Sequence, residues 1–588
     1  MYCLLLQRFG FNTSSAARLL RSGSLLLVLA LALLVLSRTV QAVSPPPDGG
    51  YPNGNTAEGD NALLNLASGG QNTALGFSAL GSNTTGSRNT ATGFDALVLN
   101  TGGVDNTATG YEALFSNMTA SQNTAIGSAA LQANTGGFNN TAIGYTALGS
   151  NTSGQSNTAT GSGALKFNMN GGLNTATGVS ALSSNTSGDD NTADGAAALL
   201  NNTTGNVNTA TGFSALSQNT TGTDNTGCGG QALQNNRTGN NNTATGAAAL
   251  LDNFNGNNNV ANGFLALAGN NGDNNTATGF QALLSNTSGS NNTATGGGAL
   301  ESATTGLNNT ATGASALGNT TKGNYNTADG VNALFNNTIG VGNTASGFQA
   351  LLSNKGGINN TADGRHALFN NTGSFNIGLG NLAGQNLTTG SNNIDIGNQG
   401  VAAEAKTIRI GEQGNQKATF IAGISGVAVT GPAVHVSAGG QLGIIPSSAR
   451  FKEAIKPMDK ASEAILALKP VTFRYKQNLD PDGIPQFGLV AEQVEKVNPD
   501  LVVRGEDGKP YTVRYEAVNA MLLNEFLKEH WNVAEQQSKV AEQQSTIAQL
   551  KTTVAQQQKQ IEALTATVQR VSDQIALSKS ASKLVANP

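Results

Sequence analysis

The sequence predicts a mostly β chain: a β-solenoid rod of 17-residue coils, a β-rich neck, a small α+β domain and a C-terminal coiled coil. Three observations predict it. A glycine recurs every 17 residues from Gly59 to Gly263, resumes after the loss of one residue at Gly279 to Gly364, and continues after another loss to Gly380 and Gly397. The 588 residues include 75 Gly and one Trp, with 11 % charged and 5 % aromatic, too few large apolar groups to fill the roughly four ordinary cores that this length would hold. Beyond residue 530 the apolar pattern changes to a heptad.

Residues 1–42 read as an export signal. Arg8, Arg18 and Arg21 precede an apolar run from Leu25 to Leu36, and Val40 and Ala42 supply the small residues of a processing site after Ala42. The alternative is a retained membrane anchor, but about 12 apolar residues fall short of the roughly 20 that span a bilayer. Export implies an extracellular or cell-surface protein and removes Cys3, leaving Cys228 with no intrachain disulfide partner. Cys228 stands where the repeat often has Thr, so it reads as a packing residue, with an interchain cross-link as the alternative.

From residue 51 to 400 the consensus is NTATGxxALxxNTTGxx, as in Asn208-Thr209-Ala210-Thr211-Gly212, then Ala215-Leu216, then Asn219-Thr220-Thr221-Gly222. A unit this short cannot hold a helix pair and must stack on its neighbours to bury anything. Thr-Ala-Thr makes a short strand, each Gly permits a turn, and Ala and Leu fill a narrow interior. Stacked asparagines, such as Asn208 over Asn225, then satisfy one another along the axis. About 21 coils at about 4.8 Å give a rod on the order of 100 Å. The string Asn139-Asn140-Thr141-Ala142-Ile143-Gly144 resembles the head repeats of trimeric autotransporter adhesins. That resemblance implies a left-handed roll assembled as trimers. This chain departs from it in a longer period, in Thr at most of the bulky apolar positions, and in having no amphipathic strands of a C-terminal membrane barrel.

Other classes fare less well. Outward Thr ranks suit ice binding, but the second rank is broken by Leu75, Ile126, Ile143, Asp194, Cys228, Asn262, Asp329 and Asp363. A carbohydrate-active solenoid needs paired carboxylates, and no pair recurs. The Asn-x-Thr/Ser strings arise from the repeat itself. A net charge of −4 argues against nucleic acid as a partner, and His366, His435 and His530 lie too far apart for a metal site, so neither metal nor cofactor is expected.

Residues 401–446 read as the neck, with strands over Thr407–Ile410, Thr419–Ile424, Val427–Val429 and Ala433–Val436. Then come Ser447-Ser448-Ala449-Arg450-Phe451-Lys452, Ala467-Leu468-Lys469-Pro470-Val471-Thr472-Phe473-Arg474-Tyr475, Phe487-Gly488-Leu489-Val490-Ala491-Glu492-Gln493-Val494 and Asp507-Gly508-Lys509-Pro510-Tyr511-Thr512-Val513. Over residues 447–530 these motifs closely resemble the C-terminal intramolecular chaperone of phage endosialidases and tail fibres, an auto-processing peptidase family also found in myelin regulatory factor. The resemblance implies a Ser-Lys dyad of Ser447 and Lys452, with Ser447 the nucleophile that cleaves the Pro446–Ser447 bond and Lys452 its base. The family motif has Asp where this chain has Ser448. Ser and Lys five residues apart do not share a helix face, so a turn and tertiary or intersubunit contacts must bring them together. Without the family motifs, Ser447 reads as the N-cap of a helix starting near Ala449.

The domain reads as a helix over Ala461–Leu468, a strand over Val471–Tyr475, a helix over Leu489–Asn498 and a strand over Tyr511–Tyr515, leading into a long helix. Over residues 531–577, Val533, Val540, Ile547, Val554, Ile561, Val568 and Ile575 take heptad position a, and Gln536, Gln543, Leu550, Gln557, Leu564 and Val571 take position d. The family resemblance makes this coiled coil trimeric. The whole reads as an exported homotrimeric fibre, with a surface glycan or a host or environmental surface as its contact. A rod of near-identical coils can pair in slipped registers, so an external clamp is needed to select one. The alternative is the same fibre with an uncleaved domain acting only as that clamp.

Overall fold

The computed structural model describes residues 52–582 apart from 423, 425–428, 438 and 506. The expected export signal therefore lies outside the described residues, as do the first two residues of the strand expected over Val427–Val429. The chain divides into two compact units, one ending at Ala428 and the other beginning at Val429.

The first unit is a β-solenoid. Three-residue strands run from β1 (Thr56–Glu58) to β22 (Ile408–Ile410), each pairing in parallel and in register with the next. Because side chains alternate along a strand, the central Ala of Thr-Ala-Thr points inward and is fully buried, as at Ala210, while the flanking Thr209 and Thr211 face out. One wall of the interior is this Ala rank. The other is the Ala-Leu pair of the following turn, where Leu216 is fully buried at φ 53 and Ser214 sits at φ 55. A left-handed Leu costs about 1–2 kcal/mol, which the burial of its side chain, about 2–3 kcal/mol, offsets.

Two buried asparagine ladders complete the coil. Asn225 donates its backbone N–H and its Nδ2 to Asn208 Oδ1, each at 3.1 Å. In the second ladder Asn219 Nδ2 donates to Asn202 Oδ1 at 2.8 Å. The ladders meet at one acceptor, since Asn208 and Asn219 both donate to the Gly222 carbonyl, at 2.9 and 3.0 Å.

The second ladder is interrupted in mid-rod. Its positions after Asn286 are Ala303 and Thr320 before Asn337 resumes it, and all four residues are fully buried. Asn286 Oδ1 and Thr320 Oγ1 are left without partners. An orphaned buried acceptor costs about 1–3 kcal/mol. Ala303→Asn therefore supplies the missing donor to Asn286 Oδ1 and stabilises these coils by about that amount. Hydrogen exchange of the amides of residues 286–309 checks this, with slower exchange in the variant as the expected result.

The rod ends differently from how it runs. The inward strand residue is Gly378, then Asp395, then Arg409, and Gly384 takes the place of the core Leu. Asp395 is fully buried with neither carboxylate oxygen hydrogen-bonded, and Cβ atoms at Gly384 and Gly400 would lie 3.1 and 2.9 Å from Oδ2. Arg409 instead pairs with Glu404 at 2.7 Å. Burial raises the Asp395 pKa from 3.8 to about 6, with Glu404 adding to the rise and Arg409 opposing it. A raised carboxylate pKa means that the folded form binds the proton more tightly, so stability is gained on acidification through pH 6 and lost again as pH rises. Between pH 7 and pH 5 the gain is about 1 kcal/mol at β21 (Ile394–Ile396) and β22. Hydrogen exchange at these strands reads it, and Asp395→Ala abolishes the pH dependence.

Two neck expectations are corrected. The strand over residues 408–410 is the last rung of the solenoid, because its Ile-Arg-Ile alternation matches the Ile-Asp-Ile before it. No strand forms among the described residues of Thr419–Ile424, where a lone apolar stretch meets no partner strand. His435–Val436 (β23) does pair, with Leu442–Gly443 (β24).

In the second unit β25 (Val471–Phe473) pairs antiparallel with β26 (Gln486–Gly488), and β27 (Val502–Arg504) with β28 (Pro510–Val513). The helix expected over residues 461–468 is a 3-10 helix, Asp459–Ala467. An α-helix, α1 (Ala491–Val497), packs with Val494 against Leu501, Val513 and Met521. The long α2 (Tyr515–Ser582) follows. From residue 529 to 579 every side chain of α2 is exposed, including the whole heptad seam.

Candidate processing site

Ser447 and Lys452 flank a single 3-10 turn, Ala449–Phe451. The Phe451 N–H donates to the Ser448 carbonyl at 3.0 Å, and the Lys452 N–H to that of Ala449 at 3.1 Å. Arg450 lies over the Phe451 ring, 4.7 Å from its centroid. The helix-capping position belongs to Ser448, whose side chain makes no cap hydrogen bond, so Ser447 stands one residue ahead of the cap. Ser447 and Lys452 are both exposed, and among the described residues neither side chain has a hydrogen-bond or ion-pair partner. The single chain thus joins them through the turn but does not bring them into contact.

A second serine-lysine arrangement was not legible in the sequence. Ser462 is fully buried in the 3-10 helix Asp459–Ala467, and its hydroxyl donates to the Glu525 carboxylate of α2. Asn524 Nδ2 and Lys528 Nζ donate to the same Oγ at 2.7 and 3.2 Å, and Lys528 also pairs with Glu525 at 2.6 Å. Lys528 first, then Ser462, hold the Glu525 carboxyl below its ordinary range. With its proton committed to a carboxylate and no exposed surface, Ser462 is a tether between the two helices. The signal available in the sequence was three polar residues, 524, 525 and 528, on one helical face.

This unit buries few large side chains while Phe487, Tyr511 and Trp531 are 83, 80 and 71 % exposed. No helix among the described residues is long and apolar enough to cross a membrane.

Residues 447–503 match the family model Peptidase S74, chaperone of endosialidase. The match starts at Ser447. No curated protein matches the chain. A C-terminal endosialidase-type chaperone segment preceded by a long β-solenoid fits a fibre-like protein.

Proposed function

We propose that this chain is an exported, homotrimeric fibre whose C-terminal domain templates assembly and then cleaves itself off between Pro446 and Ser447. The observation that carries the reading is the family match beginning at Ser447, which follows a 22-strand solenoid and the neck in the sequence. Two features of the second unit support assembly. Its large apolar side chains are mostly exposed, and α2 presents an unpartnered heptad seam over residues 533–575. Burying such a seam against other copies is what a coiled coil does.

The cleavage chemistry follows from the family pattern. Ser447 Oγ attacks the Pro446 carbonyl carbon, the carbon–nitrogen bond breaks, and the proton passes from the hydroxyl by way of Lys452 to the Ser447 nitrogen. Water then hydrolyses the ester to leave a Pro446 carboxylate. A lysine acts as base only where burial or a neighbouring cation lowers its pKa. Lys452 is exposed in the single chain, so assembly supplies the missing enclosure.

The released rod, ending at Pro446, serves in surface adhesion or display. Support comes from an exposed aromatic ridge, in which Phe77 stacks on Phe94 at 5.0 Å and Phe94 on Tyr111 at 5.5 Å. Sedimentation of the uncleaved Ser447→Ala chain tests the assembly step. The expected mass is three chains, falling to one when Ile547→Lys and Ile561→Lys are combined. A monomeric parent overturns the reading.

A further inference from the structure

The alternation of the rod inverts in its last three strands. In the earlier strands the first outward residue is Thr except at Val260, and the inward residue is Ala except at Gly227. In β20 (Ile377–Leu379), β21 and β22 the outward residues are Ile377 and Leu379, Ile394 and Ile396, Ile408 and Ile410, while Gly378, Asp395 and Arg409 face in. These strands are in register, Ile377 beside Ile394 beside Ile408, and Leu379 beside Ile396 beside Ile410. The result is two ranks of aliphatic side chains on one flat face, with Ile408 and Ile410 66 and 70 % exposed.

Side chains two apart on a strand share a face, so the face that carries Ile is the one whose burial stabilises the strand. The inward strand positions contribute little to that here, because they hold a glycine, an unpaired carboxylate and an arginine, and the interior keeps only Ala383 and Leu387 of the turn between β20 and β21 as buried apolar side chains. If the outer face also met water, these three strands would bury no aliphatic side chain of their own, whereas nearly every earlier strand buries an inward Ala. The patch amounts to roughly 500 Å², at the large end of what single chains expose, and is of the size of the apolar centre of an interface that buries about 800 Å² per partner. It carries no charge and its ranks are regular, so the same face on another copy complements it without burying an ion. A partner of different composition would have to match this flat uncharged pattern by other means.

We propose that the outward Ile/Leu face of β20–β22 packs against the same face of neighbouring copies, making the end of the solenoid an intersubunit contact of the rod itself. The proposal rests on the reading that the chain is a homo-oligomer and names a contact surface for it. It also gives the inversion a purpose: the Thr-faced coils stay solvated, and the join lies where the rod gives way to the neck in the sequence.

The test uses the full-length chain with Cys228→Ser. Single cysteines are introduced by Ile396→Cys, by Ile410→Cys and, on the Thr face, by Thr295→Cys, and each protein is treated with a short bismaleimide at equal protein concentration. Interchain cross-linking at least tenfold faster at positions 396 and 410 than at 295 is the expected result. As a second measurement, Ile408→Thr with Ile410→Thr restores the outward residue of the repeat and is expected to lower the dissociation temperature of the oligomer. If the parent sediments as an oligomer but positions 396 and 410 cross-link no faster than 295, the contact is overturned and the oligomer reading stands. If the parent sediments as a monomer, both fall.

Discussion

Ser447→Ala is expected to leave the chain in one piece, where the wild type is expected to yield two polypeptides, the second beginning at Ser447. Lys452→Ala has the same outcome. The expected loss in cleavage rate is more than about 10³-fold for either, because a nucleophile and its base act as a unit and removing one disables both. Denaturing mass spectrometry with N-terminal sequencing reads the result. The flanking residues sharpen the test. Ser448 stands where the family motif has Asp, so Ser448→Asp restores that motif and is expected to speed cleavage without moving the cut. Ser462→Ala discriminates between the two serines: it loosens the tether between the 3-10 helix and α2 but leaves the cleavage position unchanged, since Ser462 is buried and donates to Glu525.

Gly229→Val cuts the rod in two. Gly229 sits at φ 138, and a Cβ there would lie 2.5 Å from the Gly246 carbonyl oxygen and 2.6 Å from its carbon. Neither the backbone conformation nor the space admits a β-branched side chain, and the obstacle is main chain rather than a movable side-chain end. A penalty of more than about 4 kcal/mol falls on the coils around residue 229. Each coil contacts only its neighbours, so the damage stays local and the coils near either end keep their order. Hydrogen exchange is expected to show fast exchange confined to residues near 212–246, with the strands near residues 90 and 344 unchanged.

The periodic part of the fold was legible because repetition multiplies a weak signal. One Thr-Ala-Thr strand says little, but the 17-residue return of Gly212 to Gly229 to Gly246 fixes the coil, and Asn208 over Asn225 follows from it. The second ladder, Asn202 to Asn219, recurs with breaks at Ala303 and Thr320 and lies in a turn with no strand to mark it. Leu216 at φ 53 contradicts residue preference, and only its burial explains it. Ile408–Ile410 lies beyond the glycine period and so reads as neck in the sequence, although its Ile-x-Ile alternation matches that of Ile394–Ile396. Among the described residues of Thr419–Ile424 no strand forms, for the opposite reason: these residues favour extended backbone, but pairing is a property of the partner as well.

The candidate site was legible through motifs and not through geometry. Ser447 and Lys452 were named from their place in a family pattern, and the family match covers both. Their separation across one 3-10 turn, with both side chains exposed, is a property of the single chain that no motif reveals. Under the proposed function, such a dyad is expected to become competent only when copies enclose it.

The most direct test is to follow the fragment that begins at Ser447 while freshly refolded chains are held at concentrations above and below the threshold for trimer formation. The account predicts that the fragment appears only in the trimeric fraction and that dilution below the threshold halts its formation. Cleavage of the monomeric fraction at the same rate would contradict it.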